Sequence, residues 1–295
     1  MAYQNNFRKK SNNYSNYKKD KDNFKSAEKY SDYRNNKNKN NNQDRYKNEQ
    51  SNKKWNEKKD NKWNEKRNEI IPIKFPNTYI KIKRKGVDIF TKNLVPGQSF
   101  FGETVIRKKI DNENVELRQW DYTRSKLGAA IFLKVSQLGI SEGDKVLYLG
   151  ASHGFTPSYV SDIVGSKGFV FCLDFAPRVV RDLYLLCQKR NNMAPIIADA
   201  KKPEEYEGLL PEVDVIFMDI AQREQVEIFL KNFKFLKKEG FAILALKARS
   251  VDVTKKPKYI FRSAREELEK HTMIVDYKEL DPVEKDHCIF VCKNK

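Results

Sequence analysis

Several apolar runs of this sequence close on an ionisable residue. GFVFCLD ends at Asp174, APIIAD at Asp199, VDVIFMD at Asp219 and FAILALK at Lys247, and a further run opens at His287. Carboxylates, an amine and an imidazole brought together form a proton-handling set. The amine or imidazole accepts a proton or steadies a developing anion, and a carboxylate orients it. Each residue alone has a plainer explanation. A strand-end Asp caps the next helix or turn, a lysine lays its stem on apolar surface with its head in water, and a lone histidine is more often structural. Convergence of all five is harder to dismiss.

A ligand loop accompanies them. In KVLYLGASHG an apolar run stops at Gly150, small residues follow to Gly154, and an amphipathic segment opens near Thr156. Strand, glycine turn and helix let a bound molecule approach the backbone and meet the free N–H groups of a helix start. The spacing is Gly150-x-x-x-Gly154, not the dinucleotide G-x-G-x-x-G. An acidic residue at the end of the second strand, here Asp174, pairs with ribose hydroxyls, so the ligand carries adenosine. Without the pyrophosphate fingerprint NAD is disfavoured, and S-adenosylmethionine fits better.

The elements that must position these groups follow from periodicity. A helix is expected over 124–138, then strand KVLYLG, a helix over 157–164, strand GFVFCLD, a helix over 178–190, strands APIIAD and VDVIFMD, a helix over 223–236, strand FAILALK and a helix over 258–271. Two closing strands, 273–280 and 287–292, have no helix between them and should form a hairpin with one antiparallel member. Near-continuous apolar strands separated by helices imply a mostly parallel seven-stranded sheet covered on both faces, an α/β Rossmann-like domain over 121–295. Ligands of such sheets bind at the carboxyl ends of the strands, where Asp174, Asp199, Asp219 and Lys247 fall, and an antiparallel last strand returns His287 to that edge.

Ahead of it, residues 69–120 read as a small antiparallel β subdomain: TYIKIKR, VDIFTKN and VELRQWD, with turns at Lys85-Gly86, Pro96-Gly97 and Asp111-Asn112. Nothing there looks catalytic, and packing or partner contact is its expected role. Residues 1–68 are rich in Asn and Lys and nearly free of Leu, Ile and Val, so a disordered tail is expected. About +11 of the formal net charge of +18 lies there. Aromatics interleaved with Lys and Arg suit sequence-tolerant RNA contact, against the plainer reading of a solvating tail. The four cysteines show no metal spacing. Cys288 and Cys292 share a face of a strand and read as small hydrophobes, which suits a reducing compartment. Without a signal-peptide core or a long apolar run, a soluble intracellular protein and no membrane partner are expected.

RSKLGAAI, KVLYLGASHGFTPSYVSDIVG, DFAPR, ADAKKPEEY, VDVIFMDIAQ, LALKARSVDVT and EKDHCIFV together resemble fibrillarin, the box C/D RNA-guided ribose 2′-O-methyltransferase, over about residues 75–293, with most likeness to the archaeal form. The resemblance implies a class I methyltransferase acting on rRNA and tRNA. Its cofactor would be S-adenosylmethionine. Its partners would be a guide RNA, the target RNA, a Nop-domain scaffold protein and a kink-turn-binding protein. It implies a cytoplasmic location in an archaeon and a nucleolar one in a eukaryote. By the same resemblance the catalytic set is Lys126, Asp219, Lys247 and His287. Lys247 would be base or oxyanion stabiliser, Asp219 would orient it and Lys126, and His287 would position the ribose or relay the proton. The cofactor would be held at the Gly150 and Gly154 loop, with Phe155 and Thr156 at its methionine end. Asp174 and Phe175 would hold ribose and adenine, Asp199 and Ala200 the adenine edge, and Asp219, Ile220, Ala221 and Gln222 would border the methionine. No metal is implied. The family pattern has two threonines after the second glycine, whereas this chain has Phe155 first, then Thr156. The competing readings are an RNA-binding member with an impaired site, and a class I methyltransferase for a small molecule or protein.

Overall fold

The computed structural model describes residues 69–84 and 86–295; the tail readings for 1–68, and Lys85 of the first turn, lie outside the described residues. Five short strands come first: β1 (Ile70–Pro72), β2 (Thr78–Ile82), β3 (Val87–Lys92), β4 (Val105–Ile110) and β5 (Glu113–Trp120). They form one antiparallel sheet in the order β1-β2-β3-β5-β4. The β4–β5 hairpin turns on Asp111-Asn112, at φ +48° and +68°. Two consecutive left-handed residues make the tight turn whose twist matches the strands, and Asp and Asn tolerate it. β1 and β4 were not foreseen. β4 (VIRKKI) carries three consecutive basic residues and shows no apolar alternation.

The second sheet holds β6 (Lys145–Leu149), β7 (Phe169–Asp174), β8 (Met193–Ile197), β9 (Val213–Met218), β10 (Leu236–Lys247), β11 (Thr272–Glu279) and β12 (His287–Asn294). Its order is β11-β12-β10-β9-β6-β7-β8, with β12 antiparallel to both neighbours, as the missing crossover helix demands. β6 lies between β7 and β9, so the sheet grows first one way and then the other. That reversal opens a crevice at the carboxyl edge beside β6.

The helices are α1 (Lys126–Phe132), α2 (Phe155–Val164), α3 (Pro177–Cys187), α4 (Gln225–Lys231), α5 (Ala248–Val251) and α6 (Pro257–His271). Alternate strand residues feed two cores. Val146, Tyr148, Phe217, Ile243 and Ile289 belong to the layer shared with α1 and α2. Leu147, Met218, Leu244, Cys288 and Cys292 belong to the layer shared with α4 and α6. No helix among the described residues is long and apolar enough to cross a membrane.

Some expected boundaries move. The helix expected over 124–138 stops at Phe132, because Lys134 turns left-handed at φ +62° and Val135 and Lys134 bond back to Ala130 and Ile131. That is a Schellman-type stop without glycine. The helix expected over 223–236 runs only over α4, with a 3-10 turn at Asn232–Phe235 and strand from Leu236 onward. β8 ends at Ile197, so Asp199 sits two residues into the following loop rather than on the strand. α2 is not amphipathic: every residue from Thr156 to Val164 is buried.

Candidate active site

Two strand ends meet at the glycine loop. Gly150 N–H donates to the Leu173 carbonyl at 2.9 Å, and Asp219 N–H donates to the Leu149 carbonyl at 2.9 Å. Gly150 has φ +85°, and a Cβ there would stand 2.3 Å from the Asp219 carbonyl oxygen. Only glycine suits that crossing. Gly154 caps α2 at φ +86°, and a Cβ on it would stand 2.4 Å from Leu186 Cδ2. Its task is therefore close packing of α2 on α3, and it lines neither of the cavities described next.

A narrow cavity of about 300 Å³ is lined by Gly150, Asp174, Phe175, Asp199, Ala200 and the run Asp219, Ile220, Ala221, Gln222. A wider cleft of about 680 Å³ shares Gly150 and Asp219 and adds Phe155, Thr156, Tyr148 and Arg124. The narrow cavity has apolar walls with carboxylates beside them, which suits a flat base and a diol. Asp174 Oδ2 accepts from Ser152 N–H at 2.8 Å and Oδ1 from Ala176 N–H at 3.1 Å. It thus braces the glycine loop and the start of α3, and each oxygen retains a lone pair for a ligand. Asp199 Oδ1 similarly accepts from Lys201 N–H at 3.0 Å. Capping and ligand-facing positions coexist in both residues. Gln222 Oε1 is buried without a partner among the described residues. A buried acceptor without a donor fits a group that brings one.

Lys126, Asp219, Lys247 and His287 come from four elements. α1 starts at Lys126, capped by Ser125, whose Oγ accepts Gly128 N–H at 3.1 Å. Lys126 Nζ meets both Asp219 oxygens, at 2.9 and 3.0 Å. The β10–β12 register seats Lys247 directly opposite His287, and opposite residues in an antiparallel pair share a face. Gln225 braces the Lys247 backbone, donating Nε2 to its carbonyl at 3.1 Å and accepting its N–H on Oε1 at 3.0 Å. The expectation that Asp219 orients both lysines needs correction. Its two oxygens engage Lys126, and among the described residues Lys247 has no carboxylate partner. His287 Nδ1 lies 2.7 Å from the Lys285 carbonyl. A carbonyl only accepts, so Nδ1 carries the proton and Nε2 the lone pair. Burial pushes the imidazole below its ordinary value, with Lys126 adding to this; the Lys285 carbonyl, Glu284 and Asp219 pull the other way.

Tyr148, Phe100, Phe101 and Arg124 are among the wide-cleft side chains that sequence reasoning missed. Tyr148 read as one more apolar strand residue, yet it lies on the face that reaches the cleft. Burial pushes its hydroxyl far up and the Asp219 carboxylate adds to this, so it stays a neutral donor. Phe100 and Phe101 reach the cleft from the first sheet's β3–β4 connection. The subdomain that looked devoid of site residues therefore supplies part of a wall, and the only signal was an aromatic pair beside Gly102. Arg124 was read only as the start of a helix. Among the described residues no three His, Cys, Asp or Glu side chains are grouped to hold a metal ion.

The family model described as Fibrillarin matches residues 70–295. This chain belongs to the fibrillarin family. It is 46% identical over 227 residues to the Pyrococcus abyssi fibrillarin-like rRNA/tRNA 2′-O-methyltransferase, covering 76% of this chain and 98% of the relative. Aeropyrum pernix fibrillarin, solved in complex with natively bound S-adenosyl-L-methionine, is 37% identical with a TM-score of 0.68, covering 76% of this chain and 97% of that one. A fibrillarin from a fibrillarin/Nop5p complex is 32% identical with a TM-score of 0.62, covering 73% and 97%. The matched share begins where the first sheet does, so both sheets belong to the fibrillarin unit.

Proposed function

We propose that this chain transfers methyl groups from S-adenosylmethionine to ribose 2′-hydroxyls of rRNA and tRNA, as the catalytic subunit of a box C/D guide ribonucleoprotein. The observation that carries the reading is the β10–β12 register, which sets Lys247 against His287 at the edge where Lys126 and Asp219 pair. Kinship supports the reaction, the cofactor and the scaffold: a relative named as an rRNA/tRNA 2′-O-methyltransferase, a fibrillarin with S-adenosyl-L-methionine bound and a fibrillarin in complex with Nop5p. The partners are a Nop-domain scaffold, a kink-turn-binding protein and a guide RNA that pairs with the target. The location is the cytoplasm of an archaeon or the nucleolus of a eukaryote.

Bound S-adenosylmethionine supplies an electrophilic methyl on sulfonium. Asp174 would hold the cofactor ribose through its remaining lone pairs, Phe175 would cover the adenine, Asp199 and Ala200 would meet the adenine edge, and Asp219 through Gln222 would border the methionine. Lys247, without a carboxylate of its own, meets the attacking 2′-hydroxyl and stabilises the oxygen as its proton leaves. Asp219 holds Lys126 in place. Neutral His287, with its acceptor at Nε2, holds or relays that proton. Positioning of the target nucleotide falls to guide pairing.

Asp174→Ala removes a charged acceptor from the cofactor ribose. The expected outcome is a cofactor Kd raised roughly tenfold or more, since such bonds contribute about 1.5–3 kcal/mol. Turnover at saturating cofactor should change far less. Isothermal titration with unchanged affinity would refute the ribose role.

His287 leaves a pH signature. Its folded-state value lies below the ordinary 6.5, so below that pH the unfolded chain takes up this proton before the folded one. Stability therefore falls as pH drops from the ordinary value towards the folded one. His287→Asn keeps a donor for the Lys285 carbonyl but does not titrate. Urea midpoints followed from about pH 7.5 to about pH 5 should fall more steeply for the wild type. Parallel curves would mean that His287 titrates normally.

The deciding experiment is tritiated-methyl transfer to RNA by the protein alone and with scaffold, kink-turn protein and guide RNA. Transfer only in the full mixture, at the guided 2′-hydroxyl, is expected. Cofactor binding without transfer would move the substrate to another class, and no cofactor binding would make this an impaired, RNA-binding member.

A further inference from the structure

Arg124 and Phe155 lie at the outer wall of the wide cleft, and a built contact holds them together. Thr156 Oγ1 donates to Ser125 Oγ at 3.0 Å, in a buried bond that joins the start of α2 to the cap of α1. The residues just before these two, Phe155 and Arg124, are thereby set side by side. The guanidinium carbon of Arg124 stands 4.2 Å from the centre of the Phe155 ring. Phe155 is fixed in turn, edge-on to Phe101 at 5.2 Å and to Tyr159 at 5.3 Å.

The charges on this wall are unequal in their partners. Lys126 is paired with Asp219, and His153 lies 3.6 Å from Asp182. Arg124 is exposed and has no carboxylate partner among the described residues. A guanidinium held against a ring and without a carboxylate partner leaves N–H groups free, and its fork matches two oxygens of a phosphodiester. Arg124 also borders a second hollow of about 360 Å³, which Phe101 and Phe155 line as well. It therefore borders both the wide cleft and this hollow, and it does not line the narrow cavity that contains Asp174 and Asp199.

We propose that Arg124, shelved on Phe155, grips a phosphodiester of the substrate RNA beside the reactive ribose. The inference rests on the RNA-methyltransferase reading above and adds a substrate-binding residue to it. It also gives Phe155 a purpose, since threonine at that position would offer no ring for the guanidinium.

The test uses the full chain assembled with scaffold, kink-turn protein and guide RNA, and a labelled target oligoribonucleotide. Arg124→Ala is expected to raise KM for the target about tenfold and to reduce the slope of log affinity against log salt by about 1. Cofactor Kd by titration calorimetry should stay unchanged. Arg124→Lys should restore the salt slope while recovering only part of KM, and its retained charge separates this loss from misfolding. Phe155→Thr should raise KM in the wild-type background and have no further effect on Arg124→Ala. An unchanged KM and slope for Arg124→Ala, in a particle whose wild type methylates RNA, would overturn the inference while leaving the functional reading intact. A weakened cofactor Kd would overturn it too, by assigning Arg124 to the cofactor's carboxylate. A wild-type particle that transfers no methyl to RNA would remove the reading and this inference with it.

Discussion

Lys247→Ala is expected to reduce single-turnover methyl transfer by about 10²–10⁴, the range of a lost proton-transfer or electrostatic group. Cofactor Kd should stay within about twofold. The site geometry makes this a clean experiment. The Lys247 backbone is held by β10–β12 pairing on one side and by both ends of the Gln225 amide on the other. Truncating the side chain therefore leaves the strand end where it is. The Asp219–Lys126 pair is independent of Lys247, so the loss should not propagate through it. Lys247→Arg should fail to rescue, because a planar, permanently charged fork does not replace a compact amine. Measurement in the assembled particle at saturating cofactor isolates the chemical step, and normal transfer by Lys247→Ala would remove this residue from the mechanism.

Arg118→Met is expected to have the largest effect on stability, a loss of about 3–5 kcal/mol. Arg118 is fully buried on β5. It meets Glu103 at 2.7 Å and Asp162 of α2 at 3.2 Å, donates to Ser158 Oγ at 3.2 Å, and lies 4.1 Å from the centre of the Tyr159 ring. Asp162 is shared with Arg190 at 2.8 Å and with the Thr91 hydroxyl at 2.7 Å. Burial would lower the Arg118 pKa, but Asp162 and Glu103 outweigh it and hold the value above the ordinary one. Methionine matches the stem, removes the charge, and leaves two buried carboxylates facing one remaining arginine. Urea unfolding should show the loss directly. Arg118→Lys, which keeps a charge but not the fork, should lose less. Equal stability for Arg118→Met would mean that the network contributes nothing net, as happens when an apolar replacement packs equally well. Because α2 begins at the glycine loop, the same variant should also weaken cofactor binding.

Much of this arrangement was legible from residue patterns, and the reason is geometric. A strand covered on both faces must be apolar throughout, so an ionisable residue marks where it leaves the core. GFVFCLD and FAILALK show their ends at Asp174 and Lys247 in that way. The absent helix between the last two strands forces an antiparallel return, which brings His287 to Lys247. Asp199 was misplaced by two residues because Ala198 is as compatible with a strand as with the loop it occupies. The helix start at Phe155 read as amphipathic because its Ser and Asp residues look solvent-bound. In the structure Asp162 and Ser158 face a buried arginine from β5 instead.

Pairings across long separations were not legible. Asp219 lies 93 residues from Lys126, and no local rule selects which of two lysines it will hold. Phe100 and Phe101 reach the cleft because the first sheet docks on α2 through Arg118 and Thr91, and the Arg118–Asp162 contact joins side chains 44 positions apart. Strand composition and connection length encode which edge of the sheet carries the chemistry, because both act over a few residues and obey backbone periodicity. Which carboxylate holds which amine, and which loop walls the cleft, depends on side chains meeting after the two sheets have packed, and burial then leaves each charge only the partners within reach.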